Sequence, residues 1–258
     1  MATDVQTMQT GTTARTGREL LAGSGPFLDW LGDWYDRLPT VPLSEVVRDP
    51  ARTALISVDV INGFCYEGPL SGPRVAGIVE PIAALMQAAH DAGVRRLVLT
   101  QDTHDPAAPE FAQWGPHCIR GTSEAATVPA FTALPFAGEF VVVEKNSISS
   151  SHSTSFDAWL DDPAQAPVDT VIVVGDCTDL CTYQLAMHLK IRANAAGREV
   201  RVVVPEDCVQ TFDMPVPMAQ QLGILPHDGD LHHLFFLYHM ALNGCEVVRH
   251  IAAPTPAG

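Results

Sequence analysis

Basic side chains are scarce in this 258-residue chain, where 15 lysines and arginines stand against 30 aspartates and glutamates, for a net charge of −15. A field of that sign repels phosphate backbones and anionic bilayers, which argues against nucleic acids and membrane surfaces as partners. Apolar runs of the roughly eighteen residues needed to span a bilayer are lacking too. The opening MATDVQTMQTGTTARTGREL has neither the basic nor the apolar region of a signal peptide. A cytoplasmic protein is therefore expected. There is no internal repeat, and no low-complexity tract beyond the Thr- and Gly-rich start. Cysteines number only six, namely Cys65, Cys118, Cys177, Cys181, Cys208 and Cys245. They are scattered through a chain large enough to fold without staples, so reduced thiols are expected rather than a disulfide framework.

What the chain does have is apolar residues in alternating patterns, 47% of the whole. Residues 1–18 are expected to form a disordered or tethered tail, 19–50 an N-terminal helical extension and 51–258 the main domain. In the extension, Phe27, Trp30, Leu31, Trp34 and Leu38 recur at three- and four-residue steps, the stripe of one helix. From Thr53 the pattern changes: TALISVDVI reads as a buried strand, VEPIAALMQAAHDAG as a helix closed by Gly93, and RRLVLTQD as a second strand. Further strands are expected at GEFVVVEKN, DTVIVVGD and REVRVVVPED, with a helix at TDLCTYQLAMHLKIRANAAG. A last helix, DLHHLFFLYHMALNG, precedes a closing strand, CEVVRHI. The alternation predicts an α/β fold, a three-layer, doubly wound and mostly parallel β-sheet flanked by helices.

In such a sheet, ligands bind beyond the carboxyl ends of the strands. Asp59, Asp102, Lys145 and the segment from Gly175 to Cys181 each end or follow a strand run. Any one of them alone reads as a solvated charge or an ordinary turn, but four together favour a shared site. Cys181 falls in the first turn of a helix, with Thr178 or Asp179 placed to cap it. A thiol there feels the positive helix end, and the ammonium of Lys145 would lower its pKa further, toward a thiolate near neutral pH. Asp59 is placed to accept a proton and return it to a leaving amine. Cys177, four residues before Cys181, leaves open a redox pair or two metal ligands. The missing second Cys pair and the absence of the two-residue redox spacing weigh against both.

Asp102, His104 and His117 form a second set, two ligands on one strand-end loop and a third returning from the next, suited to a divalent metal such as zinc. An ordinary surface loop would look the same. His232, His233 and His239 lie along an otherwise apolar helix and are read as packing or subunit contacts.

The chain from about Thr53 to Asp213 resembles the isochorismatase-like cysteine hydrolases, in particular their nicotinamidase-related branch. The resemblance rests on ALISVDVINGFCYEGPLSG, on VEKNS and on GDCTDLCTYQLAMHL. It implies a triad of Asp59, Lys145 and Cys181 and a thioester intermediate. It also implies a cis peptide joining Asp176 to Cys177, and an oxyanion hole built from the backbone N–H groups of Cys177 and Cys181. QDTHDP followed by WGPHC resembles the zinc-binding stretch of that branch and carries metal ligation onto Asp102, His104 and His117. Ile61 stands where nicotinamidases usually carry a polar residue.

The expected activity is hydrolysis of a small, nicotinamide-like amide to acid and ammonia, with Phe64 and Trp114 as pocket walls, by a homo-oligomer. Two alternatives stay open. One is a related hydrolase acting on a carbamoyl, lactam or vinyl-ether substrate. The other is a non-catalytic or redox protein using Cys177 and Cys181.

Overall fold

The computed structural model describes residues 15–253, so most of the tail expected over residues 1–18 lies outside the described residues. The chain divides into two compact units, one reaching to Arg37 and one starting at Leu38. In the first, the helix Gly17–Ala22 opens with a capping box, Thr16 accepting from the Glu19 N–H while the Glu19 carboxylate accepts from the Thr16 N–H. The helix Gly25–Asp36 begins with Pro26 in its first turn, where a missing N–H costs nothing. Leu38, expected on the stripe of this helix, lies beyond its end.

The second unit is built on parallel strands: β1 Thr40–Pro42, β2 Thr53–Val58, β3 Arg96–Asp102, β4 Val141–Lys145, β5 Thr170–Asp176, β6 Arg201–Pro205, β7 Val209–Gln210, β8 Glu246–Val248 and β9 His250–Ala252. The main sheet runs in the order β4-β3-β2-β5-β6-β8, with β7 continuing beside β5, and β1 pairs separately with β9. The closing strand expected as one piece is thus two, split at Arg249. Every residue of β2, β3 and β5 is buried, as expected for strands covered on both faces. The edge strand β4 instead exposes Val141 and Val142.

The helix Val79–Asp91 covers one face with Val79, Ile82, Ala83, Met86 and Ala89, an i, i+3, i+4, i+7, i+10 stripe, and Gly93 ends it with a positive φ of 96°. Among the described residues no helix is long and apolar enough to cross a membrane.

The order of the strands reverses between β2 and β5, whose neighbours in the chain lie on opposite sides. A crevice opens at such a switch point, outside the carboxyl ends of the two strands. Their approach there depends on Gly175, which has φ +116° and whose missing Cβ would lie 2.0 Å from the Val58 carbonyl oxygen. Gly175→Ala should therefore lower the unfolding free energy by about 3 kcal/mol or more, overpacking and backbone strain costing about 1–3 kcal/mol each. Denaturant titration of the variant checks this, and an unchanged midpoint would refute the close approach.

Candidate active site

Four strand ends deliver the charged groups. β3 and β4 pair in the register Asp102↔Lys145, and β2 pairs with β5 at Val58↔Gly175. Asp59 follows β2 directly and takes a positive φ of 55°, a region aspartate tolerates better than most residues. Its N–H donates to the Thr100 carbonyl at 2.8 Å, and its Oδ1 accepts the Asp102 N–H at 2.7 Å.

Lys145 stands at the centre of the cluster. Its Nζ lies 2.7 Å from Asp59 Oδ2, 2.5 Å from Asp102 Oδ1 and 3.6 Å from Cys181 Sγ, and all four residues are buried. Asp59, Asp102 and Cys181 also bring potential ligand atoms within 4.8 Å of one another. The Lys145 ammonium already lies in contact with all three, so this group offers no cation site. Burial disfavours the charged lysine, but the carboxylates of Asp102 and Asp59 outweigh it and hold the pKa well above the ordinary lysine value. For Asp102, burial is again the largest influence, but the Lys145 ammonium and the adjoining His104 and His117 outweigh it and keep the group well below the usual carboxylate range. For Asp59, burial and the neighbouring Asp102 charge prevail over Lys145 and raise the pKa to about 6, which still leaves a carboxylate at neutral pH.

The nucleophile segment passes from β5 through a cis peptide, Asp176–Cys177, into the helix Cys181–Ala195, whose first residue is Cys181. Two expectations are corrected here. Leu180 occupies the N-cap without a side-chain cap, because the Thr178 hydroxyl is engaged by His233 and the Asp179 carboxylate by Thr211 and His227. The resting Cys181 is also a thiol. Complete burial, reinforced by Asp59 and Asp102, pushes its pKa well above the ordinary value despite Lys145. A helix end and one ammonium do not compensate for two carboxylates and lost solvent.

Among the described residues, neither Cys177 nor Cys181 donates its N–H to a backbone carbonyl, so both remain available to an incoming oxygen. All six cysteines are free. Complete burial, reinforced by Asp176 and Asp179, pushes the Cys177 thiol well above its ordinary value. The neighbouring Asp176 is fully buried with neither carboxylate oxygen hydrogen-bonded, and burial raises its pKa well above the ordinary value.

Beside the Lys145 cluster, the ligand atoms of Asp102, His104 and His117 also lie within 4.8 Å of one another, all buried. Nε2 of His104 is 3.4 Å and Nε2 of His117 is 3.8 Å from Asp102 Oδ2. The Nδ1 atoms face Asn146 Oδ1 at 3.3 Å and the Gly115 carbonyl at 2.8 Å. With Nδ1–H donating to those oxygens, both Nε2 lone pairs point at the carboxylate, and His104 Nε2 has no hydrogen-bond partner. Three converging acceptors fit a cation, and tetrahedral zinc with bonds near ~2.1 Å would separate its ligands by about 3.4 Å.

Phe64 is buried with its ring 5.8 Å from that of His117, whereas Trp114 sets its edge against Phe212 at 6.0 Å. Ile61 is fully buried in the core. Phe111 is absent from the expected set, yet its ring packs 5.4 Å from His104 and 5.5 Å from His117. Phe212 and His227 were equally unmarked in the sequence; their only signal was a histidine and an aromatic in the segments following β7.

Residues 53–225 match the isochorismatase domain. The chain is 29% identical over 239 residues to nicotinamidase 1 of Arabidopsis thaliana, covering 86% of this chain and 97% of the relative. Among solved structures, it is similar to the pyrazinamidase/nicotinamidase of Streptococcus mutans, with 26% identity, a TM-score of 0.58, and coverage of 76% of this chain and 99% of that one. It shares its fold with a cysteine hydrolase of Pseudomonas syringae pv. phaseolicola, with 24% identity, a TM-score of 0.62, and coverage of 78% and 89%.

Proposed function

Because this chain belongs to the isochorismatase domain family, we propose that it is a cysteine amidohydrolase that converts a small, nicotinamide-like amide into its acid and ammonia. The observation that carries the reading is a buried ammonium shared by Asp59 at 2.7 Å and Cys181 at 3.6 Å, at the end of a parallel sheet. The relatives named nicotinamidases support the amide as substrate class.

Asp59, a carboxylate at neutral pH, takes the proton of the Cys181 thiol as sulfur attacks the amide carbonyl. Lys145 keeps the sulfur's developing charge next to an ammonium and holds Asp59 in place through the ion pair. The free N–H groups of Cys177 and Cys181 receive the carbonyl oxygen as it becomes an oxyanion. Collapse breaks the C–N bond, and Asp59 passes its proton to the departing nitrogen, which leaves as ammonia while the acyl group stays on Cys181 as a thioester. Water then attacks the thioester with Asp59 again as base, releasing the acid and restoring the thiol. Phe64 and Trp114 provide aromatic walls for a planar amide, and the ring of Phe111 closes the site behind the histidines.

Asp102, His104 and His117 would hold a divalent metal, zinc by the donor set, which when bound would act as a Lewis acid toward a substrate lone pair. We expect His117→Ala to lower metal content from about one ion per chain to a small fraction of that. Metal analysis of protein purified without chelator measures this, and equal content in wild type and variant would remove these ligands. The same reading takes the protein as cytoplasmic and as a homo-oligomer, only the latter supported by the exposed apolar side chains of Val216, Met218, Leu222, Ile224 and Leu225. Ammonia release across nicotinamide, benzamide and N-carbamoyl amino acids, with and without chelator, tests the substrate class. Cleavage of a vinyl ether with no ammonia from any amide would overturn it.

A further inference from the structure

The loop that carries the two N–H donors, Cys177–Cys181, is held from a part of the chain beyond the family match, which ends at residue 225. Asp179 is gripped twice: its Oδ1 accepts the Thr211 hydroxyl at 2.6 Å, and its Oδ2 faces His227 Nε2 at 2.8 Å. The second nitrogen of His227 faces the Phe212 carbonyl at 3.0 Å. The imidazole is sandwiched between Phe212, at 3.9 Å and 18°, and His232, at 4.0 Å and 20°. Thr178, fully buried, meets His233 Nδ1 at 2.8 Å through its hydroxyl, and the other nitrogen of His233 lies 3.3 Å from Glu206 Oε1. Thr178 also donates its N–H to the Gln210 carbonyl at 3.0 Å, which extends the β5–β7 pairing into the loop. Consecutive residues of the loop are thus each hydrogen-bonded by a different histidine, both histidines have their remaining nitrogen engaged in turn, and His227 has its ring faces packed as well.

We propose that His227 and His233 are positioning residues, a two-point clamp through which the C-terminal segment sets the aim of the Cys177 and Cys181 N–H groups. The physical need is plain. The loop follows a strand end, its helix has no side-chain cap, and an oxyanion hole works only when its donors are aimed before the charge develops. Surface packing would not require both members of Thr178–Asp179 to find a buried or nearly buried partner. The catalytic part of this inference rests on the hydrolase reading above, whereas the clamp on the loop is measurable without turnover.

The test compares His227→Ala and His233→Ala with replacements that restore one nitrogen at the same place. Gln at 227 reproduces the position of Nε2, and Asn at 233 that of Nδ1. Hydrogen exchange of the peptide spanning residues 176–184 is read alongside kcat and KM for ammonia release and the melting temperature. We expect faster exchange in both alanine variants and kcat lower by about 10- to 100-fold with KM within about twofold, since a misplacement of about 1 Å can cost about 100-fold. His227→Gln and His233→Asn should recover most of both, and the exchanged pair, His227→Asn and His233→Gln, should recover less. Unchanged exchange in the alanine variants overturns the clamp. Faster exchange with wild-type kcat, or equal recovery by matched and mismatched replacements, overturns its positioning role. A wild-type protein silent on every amide, with the exchange pattern as expected, would reject the hydrolase reading and leave the clamp standing.

Discussion

Cys181→Ala should abolish amide hydrolysis, lowering kcat by about ten-thousand-fold or more, because the covalent route disappears with the sulfur. The fold should survive. The resting group is a neutral thiol, so its removal leaves no unpaired charge beside Lys145. A single buried sulfur contributes about 1 kcal/mol of packing. Cys181→Ser should be nearly as inactive, since a carboxylate with a pKa of about 6 is too weak a base to draw a proton from a hydroxyl that no neighbour activates. The direct observation is mass spectrometry of acid-quenched enzyme, in which the peptide containing Cys181 should carry the mass of the acyl group in wild type and not in the variant. An acyl adduct on another residue, or most of the activity surviving in Cys181→Ala, would remove Cys181 as the nucleophile.

Lys145→Met should slow acylation by about 100-fold or more, with KM affected less than kcat, because the charge that stabilises the developing thiolate is gone. The effect on stability is separate and also large. Without the ammonium, Asp59 and Asp102 face each other buried and uncompensated, and breaking a buried pair in this way costs about 3–5 kcal/mol. Kinetics therefore belong well below the melting temperature, with the folded fraction checked by circular dichroism. Lys145→Arg should restore charge but little rate. A planar guanidinium cannot fit where one nitrogen is shared at 2.7, 2.5 and 3.6 Å by Asp59, Asp102 and Cys181. Folded Lys145→Met with wild-type kcat would return the residue to a purely structural place.

Much of this candidate site is legible in the sequence, for a definite reason. Parallel strands buried on both faces leave continuous apolar runs, and the polar residue that ends each run lies at the sheet edge where ligands bind. Asp59, Asp102, Lys145 and Cys181 could therefore be picked out one strand at a time, and Gly93 closed its helix where the pattern ended. Local spacing likewise put Asp102, His104 and His117 within reach of one another.

Tertiary structure alone decided what these groups do to one another. Asp102 reads as a metal ligand in the sequence, yet its other oxygen holds Lys145, because the β3–β4 register sets them side by side and register is a property of two distant segments. The sequence around Cys181 points to a thiolate, yet it rests as a thiol, because desolvation depends on everything packed around an atom and leaves no mark in the residues beside it. Thr178 and Asp179 had the chemistry of helix caps but are taken by His233 and His227, roughly fifty residues downstream. Periodicity and strand ends are local, and they determined the fold class and the residues of the candidate site. Protonation, pairing and the hold of the C-terminal histidines on the nucleophile loop depend on distances between segments far apart in the chain, and those exist only once it has folded.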